Sequence, residues 1–149
     1  MFRLFGTLVV CVVILFSAGN SIGSSSVEDA VQKRIIMFKS SGANIKRLSK
    51  LIRSGDFSAS VELVEFHVKW SEDMSRLFPV GSEASTSNGS DASSDIWRDS
   101  TGFRKRVGQY NFSATELSEA LKSKNISSIN ENFKNLVESC KNCHKQFRN

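Results

Sequence analysis

Apolar side chains recur along most of this chain at the three- and four-residue steps of an α-helix, without the two-residue alternation of a half-buried strand. Four such segments follow one another. The first, 27–54, carries Val31, Ile35, Phe38, Ile45, Leu48 and Ile52 at steps of four, three, seven, three and four, which makes one buried stripe. Gly42 stands at the skipped step. It costs the helix about 1 kcal/mol against alanine, and it opens the surface to close approach by another helix or a ligand. Ser25 and Glu28 open the segment at capping-box spacing, and Gly55 with Asp56 supplies a stop and a new start.

The second segment, 58–77, places Leu63, Phe66, Trp70, Met74 and Leu77 on one face, and Val61, Val64 and Val68 widen that face toward a second neighbour. His67 falls between these stripes, beside Glu65 and Lys69, and reads as a partly exposed surface residue. The third, 96–122, carries Phe103, Val107, Tyr110, Ala114, Leu117 and Leu121 in phase. Ser113 and Glu116 repeat the capping-box pattern inside it, but the unbroken stripe argues for one continuous helix. The fourth, 126–147, aligns Ile129, Phe133, Leu136, Cys140, Cys143 and Phe147, with His144 one turn beyond Cys140. Between the second and third lies 79–95, rich in Ser, Gly, Ala, Thr and Asn and without period. It reads as a long loop, either a crossover joining opposite ends of a bundle or a mobile flap.

At 149 residues with a single proline and 40% hydrophobic side chains, the chain has room for one all-α domain with a sizeable core. Its opening differs from the rest. Arg3 precedes an apolar run over 8–16 and then Ser17, Ala18 and Gly19, the layout of a secretory signal cleaved between 18 and 26. The run is short for a membrane span. Residues 1–25 are therefore expected to be a signal segment, residues 26–149 the folded domain, and the destination the periplasm. Cys11 would leave with the signal. The net charge of +5 (pI about 9.3) comes without an aromatic-basic cluster, which excludes a nucleic-acid reading and suits an acidic partner protein.

The remaining two cysteines stand in Cys140-Lys141-Asn142-Cys143-His144, the C-x-x-C-H spacing of covalent haem attachment. Two sulfurs three positions apart reach the two vinyl groups of one porphyrin edge, and the imidazole that follows falls under the ring where it meets iron. Three other readings share these residues. A Cys140–Cys143 disulfide is one, a zinc site borrowing the distant His67 is another, and a thioredoxin-like dithiol is the third. Structural zinc ligands come in pairs at two separated places, and a dithiol of that type wants a strand before it. The helical phase favours haem, because both thiols join the core-facing stripe of an amphipathic helix, where a bundle encloses a large apolar ring.

With these residues in view, the chain resembles the class II c-type cytochromes, and within them the cytochrome c′ family. The resemblance rests on Glu28-Asp29-Ala30-Val31 with Arg34, Leu77-Phe78-Pro79, Asp95-Ile96-Trp97 with Phe103, and the final Cys140-x-x-Cys143-His144 with Phe147 and Arg148. It implies an antiparallel up-down-up-down four-helix bundle enclosing one haem c held by Cys140 and Cys143. It also implies His144 as axial ligand of a five-coordinate, high-spin iron. The bulky residue covering the open face lies four positions after the first-helix arginine, at Phe38. Arg34 and Arg148 match positions near the haem propionates and the proximal histidine. Low-spin relatives place a methionine ligand where Phe38 stands, and here the nearest is Met37, 100° round the helix, which leaves a six-coordinate electron carrier as the alternative. The implied function is one-electron transfer with binding of diatomic gases such as NO or CO, as a redox and binding protein with no catalytic reaction assigned. Family members pair through their first two helices, which makes Ile36, Met37, Gly42 and the second stripe of 58–77 the expected homodimer contact.

Overall fold

The computed structural model describes residues 22–149, so the apolar run of the expected signal segment and Cys11 lie outside the described residues. Five helices follow in order: α1 (Ile22–Ser54), α2 (Phe57–Met74), the one-turn α3 (Asp95–Arg98), α4 (Ser100–Lys122) and α5 (Ile126–Phe147). A single 3-10 turn, Ser75–Leu77, extends α2. Among the described residues there is no strand, only an isolated antiparallel bridge between Ala92 and Arg148. The four long helices make the expected antiparallel bundle.

The two short turns use the same device. Gly55 takes a left-handed φ of 77°, the Asp56 amide bonds back to the Leu51 carbonyl at 3.0 Å, and the Asp56 carboxylate then accepts from the Ala59 amide at 3.1 Å. One helix is closed and the next is capped within two residues. Lys124 and Asn125 do likewise between α4 and α5, with the Asn125 amide on the Ala120 carbonyl at 3.2 Å and the Asn125 side chain capping Ser128. Two boundaries differ from expectation. α1 is already helical from Ile22, so the Ser25–Glu28 spacing falls inside it and starts nothing. The third segment, expected as one helix from 96, breaks at Asp99, whose carboxylate caps Gly102 at 2.8 Å. Beyond that break α4 runs through the Ser113–Glu116 pattern uninterrupted, as its stripe predicts.

Helix α4 lies between α2 and α5 and packs closely on both, while α1 rests on α2 and meets α5 over a short stretch only. The core is accordingly built on α4. Phe103, Val107, Tyr110, Ala114, Leu117 and Leu121 are all buried, as their spacing predicts. The stripe on α2 is corrected. Its fully buried face includes Ser60, Val64, His67 and Ser71 beside Trp70 and Met74, whereas Leu63, Phe66 and Leu77 stay half-buried.

His67 is the clearest departure, since it is wholly buried instead of partly exposed. The reason is across the seam: Tyr110 of α4 brings its hydroxyl to 2.6 Å from His67 Nδ1. Two further side-chain bonds cross beside it, from Asn111 Nδ2 to Ser71 Oγ at 2.7 Å and from Ser118 Oγ to Glu65 Oε1 at 2.7 Å. Pairing of this kind lowers the cost of burying polar groups, although His67 Nε2 itself is buried without a partner, and a hydrophobic count alone passes over all of them.

Burial pushes the His67 imidazole down to about 4 from its ordinary value of 6.5. The folded protein keeps this group neutral while the unfolded chain takes up a proton. Its contribution to stability is therefore complete above about pH 6.5 and is lost as pH falls toward 4, by on the order of 3 kcal/mol in total. Chemical denaturation at pH 7.5 and 4.5 checks this: the wild type should lose most of that increment relative to His67→Gln, whose own loss comes only from the carboxylates and other histidine that both share.

Candidate haem site

The C-terminal half of α5 carries its chemistry on successive turns. Cys140 and Cys143 are free thiols, both half-buried against the core. Burial raises both thiol pKa values, that of Cys143 to about 11 with the neighbouring Cys140 charge adding to it, so both are neutral S–H groups at physiological pH. His144 stands at the mouth of the site. Partial burial first, and the Arg148 charge second, hold its imidazole below the ordinary histidine range, which keeps a nitrogen lone pair free for a metal.

These three side chains face α1 across a gap made of two adjoining pockets. The inner one, about 240 Å³, runs between Phe38, Ile45, Trp70, Val107, Tyr110 and Cys140. The outer one, about 430 Å³, opens past Arg34, Phe78, Phe103, Ala92 and Arg148. Phe38, Gly42, Cys143 and His144 line both, so the two form one continuous site. Phe38 is its hub, with its ring edge-on to Trp70 at 5.3 Å and to His144 at 6.0 Å between centroids. Met37, next to it on α1, packs against the core and lines neither pocket.

Two features show that a large, mostly apolar ligand fits here. A Cβ built on Gly42 meets nothing within 4 Å, so the α1 wall is bare where it faces the thiols. The indole N–H of Trp70, buried and lining the inner pocket, has no hydrogen-bond partner, an arrangement that costs stability unless something completes it. Converging neutral thiols, an imidazole and an aromatic wall match the chemistry of a covalently held porphyrin. No group of three or more His, Cys, Asp or Glu converges on a metal-binding point among the described residues, and His67 is held by Tyr110 instead of joining the cysteines.

A family profile described as cytochrome C′ matches residues 29–148. The chain belongs to the cytochrome c′ family. Solved structures agree on the fold. The cytochrome c′ of Rubrivivax gelatinosus is 20% identical, with 83% of this chain and 97% of that one covered at a TM-score of 0.73. That of Thermochromatium tepidum is 14% identical, with 82% and 95% covered at 0.75. A nitric oxide complex of a mutant cytochrome c prime from Alcaligenes xylosoxidans is 23% identical, with 82% and 94% covered at 0.72. No curated protein matches the sequence. The family carries one covalently bound haem c, and Cys140 and Cys143 are the thiols this chain brings to it. It is accordingly a haem protein of the electron-transfer and gas-binding kind.

The two arginines marked by resemblance to cytochromes c′ stand very differently. Arg34 is only 2% exposed, and its two terminal nitrogens reach four acceptors: the Leu77 carbonyl at 2.9 Å, Ser82 Oγ at 2.7 Å, Ser90 Oγ at 2.6 Å and the Ser82 carbonyl. The guanidinium also lies 4.5 Å over the Phe78 ring. Desolvation lowers its pKa to about 10, with Glu83 acting the other way, and it remains a cation. Arg148 is exposed and paired with Asp91, Nη2 to Oδ2 at 2.7 Å. Around that pair the Ser93 amide bonds the Phe147 carbonyl at 3.0 Å and the Asn149 amide bonds the Asp91 carbonyl at 2.9 Å.

The long loop between α2 and α3 is thus pinned at both ends of the outer pocket, by Arg34 on one side and the chain terminus on the other. Sequence reading passed over Phe78, Ser82, Ser90 and Asp91 as parts of the site. Ser82 and Ser90 are ordinary loop serines in sequence, and only a buried arginine more than forty residues upstream gives them a role.

Arg34→Gln should cost on the order of 3 kcal/mol, since it removes charged hydrogen bonds and strands buried acceptors. It should also make the loop a preferred site of limited proteolysis. Ser82→Ala with Ser90→Ala, which leaves the carbonyl bonds in place, should cost less than half as much in the same denaturation assay.

Proposed function

We propose that this chain is an exported, periplasmic cytochrome c′ whose haem c iron takes His144 as its one protein axial ligand, with Phe38 covering the opposite face. The observation that carries this is the placement of Phe38: from α1 it lines both pockets together with His144 of α5, the two rings edge-on with centroids 6.0 Å apart. Bound haem supplies an iron that exchanges one electron and takes diatomic gases. Phe38 offers no hydrogen-bond donor, which suits NO or CO, ligands that need none, over a bound oxygen that is stabilised by one. It also keeps water out until it is pushed aside. A similar protein from Alcaligenes xylosoxidans is a nitric oxide complex, in line with that gas preference.

Met37 as a sixth ligand gains no support from its position outside both pockets. Arg34 acts on the site through the loop and Phe78, and Arg148 sits at the lip beside His144, where either offers positive charge to the propionates. No helix among the described residues is long and apolar enough to cross a membrane. A cytochrome c′ of similar fold shows ligand-controlled dimer dissociation. For the homodimer expected through the first two helices, α1 has one large exposed apolar side chain to offer among the described residues, Ile36 at 61%, which is little for a stable interface.

Optical and electron paramagnetic resonance spectra of the matured protein test the reading. The iron should be high-spin, and acid-acetone extraction should leave the pigment on the chain unless Cys140 and Cys143 are both replaced by alanine. Phe38→Ala should speed CO association at least tenfold and cost at most about 3 kcal/mol, the ring being only half-buried. Met37→Leu should change neither spectrum nor rate. A low-spin iron that turns high-spin in Met37→Leu would establish the six-coordinate carrier instead.

A further inference from the structure

Residues 30–55 of α1 and its turn hold seven cations and no carboxylate, against a net charge of +5 for the whole chain, so everything outside that stretch sums to a slight negative charge. One of the seven is the buried Arg34. The other six, Lys33, Lys39, Lys46, Arg47, Lys50 and Arg53, are all exposed, and none joins an ion pair among the described residues. Lys39, Lys46, Lys50 and Arg53 follow at steps of seven, four and three, which sets them within about 60° of one another around the helix. Lys39 lines the outer pocket and Lys46 the inner one. The stripe therefore begins at the lip of the haem cavity, with Lys39 and Lys46, and continues past it along α1 to Lys50 and Arg53.

A merely solvated helix face mixes its signs, as α4 does with Lys122 on Glu119 and α5 with Lys141 on Glu138. Like charges at three- and four-residue steps work against the helix that carries them. The helix dipole offsets this for Arg53 in the last turn, and leaves Lys39 and Lys46 uncompensated. No carboxylate among the described residues offsets these charges, so the face is open to an acidic surface. A lipid surface wants an apolar face beside the cations, and among the described residues Ile36 is the one large exposed apolar side chain on α1. A second copy would bring two like-charged helices together. An acidic protein meets neither objection.

We propose that Lys39, Lys46, Lys50 and Arg53 are the docking surface for an acidic one-electron carrier protein, which lies along α1 across the lip of the haem cavity. This deepens the redox reading given above and rests on it for the partner's chemistry. Opposite charge at the cavity edge steers the encounter and sets the partner beside the opening lined by Lys39 and Lys46.

Flavodoxin, a strongly acidic one-electron carrier, serves as the probe against the haem-loaded protein. Association is followed by calorimetry and electron transfer by stopped flow. Association should be measurable at an ionic strength of about 0.01 M and weaken at least tenfold by about 0.2 M. Lys39→Glu with Lys46→Glu and Lys50→Glu should weaken it at least tenfold at low salt. A control of equal net charge, Arg104→Glu with Lys105→Glu and Lys124→Glu, should stay within about threefold of wild type.

No salt-sensitive association, or an equal loss in both triple variants, would overturn the proposal. So would a stripe variant that loses binding to phosphatidylglycerol vesicles or dissociates a homodimer while keeping flavodoxin. Binding that disappears with the stripe, in a protein that passes no electron to flavodoxin in any form, would keep the surface and remove the redox reading.

Discussion

The ring of Phe38 holds α1 away from α5, standing edge-on to Trp70, to Phe78 and to His144 at once. It stands in the space between the two helices, where both pockets open, instead of in a closed helix–helix contact like that of α4 and α5. Phe38 is itself held. Phe78 backs it, Phe103 backs Phe78 at 4.9 Å, and the Arg34 guanidinium lies over the Phe78 ring at 4.5 Å. A charged group with no carboxylate in contact, satisfied by loop oxygens, thus maintains an apolar gap one helical turn away.

The two seams of the bundle have opposite chemistry. Between α2 and α4, polar side chains pair across the interface at fixed distances, with His67 on Tyr110 and Asn111 on Ser71. Directional bonds of this kind allow one register and resist sliding. Between α1 and α5 there are aromatic edges and empty volume. Apolar contacts of that sort adjust to the shape placed between them, and the rigid seam behind keeps the adjustment local.

What was legible in the sequence was whatever repeats at the helical period. The four long segments, the phase of Cys140 and Cys143 with Leu136 and Phe147, and the stop and start at Gly55 and Asp56 all follow from spacing and local backbone chemistry. Phe38, marked by its distance from Arg34, is in phase with the buried stripe and lines the pockets, and Met37, out of phase, lines neither. Three things were not legible, for one shared reason: they depend on partners distant in sequence. Ser60, His67 and Ser71 belong to the buried face of α2 because α4 supplies hydroxyl and amide groups opposite them, and a polar side chain carries no mark of that in its own neighbourhood. The separate turn of α3 ends at Asp99, whose capping of Gly102 competes with a stripe that runs on without it. The loop serines acquire their place from Arg34.

The covalent layout divides the site between two parts of the molecule. α1 is joined to the rest by one tight turn at Gly55, and it makes its main contact with α2 alone. The α4–α5 hairpin, by contrast, is a complete packing unit that already carries both thiols and the imidazole. Everything that binds the cofactor covalently thus stands on one hairpin, while Phe38 and the loop-holding Arg34 both stand on α1, one turn apart. The seating of a single helix therefore governs both the wall of the cavity and the loop at its mouth.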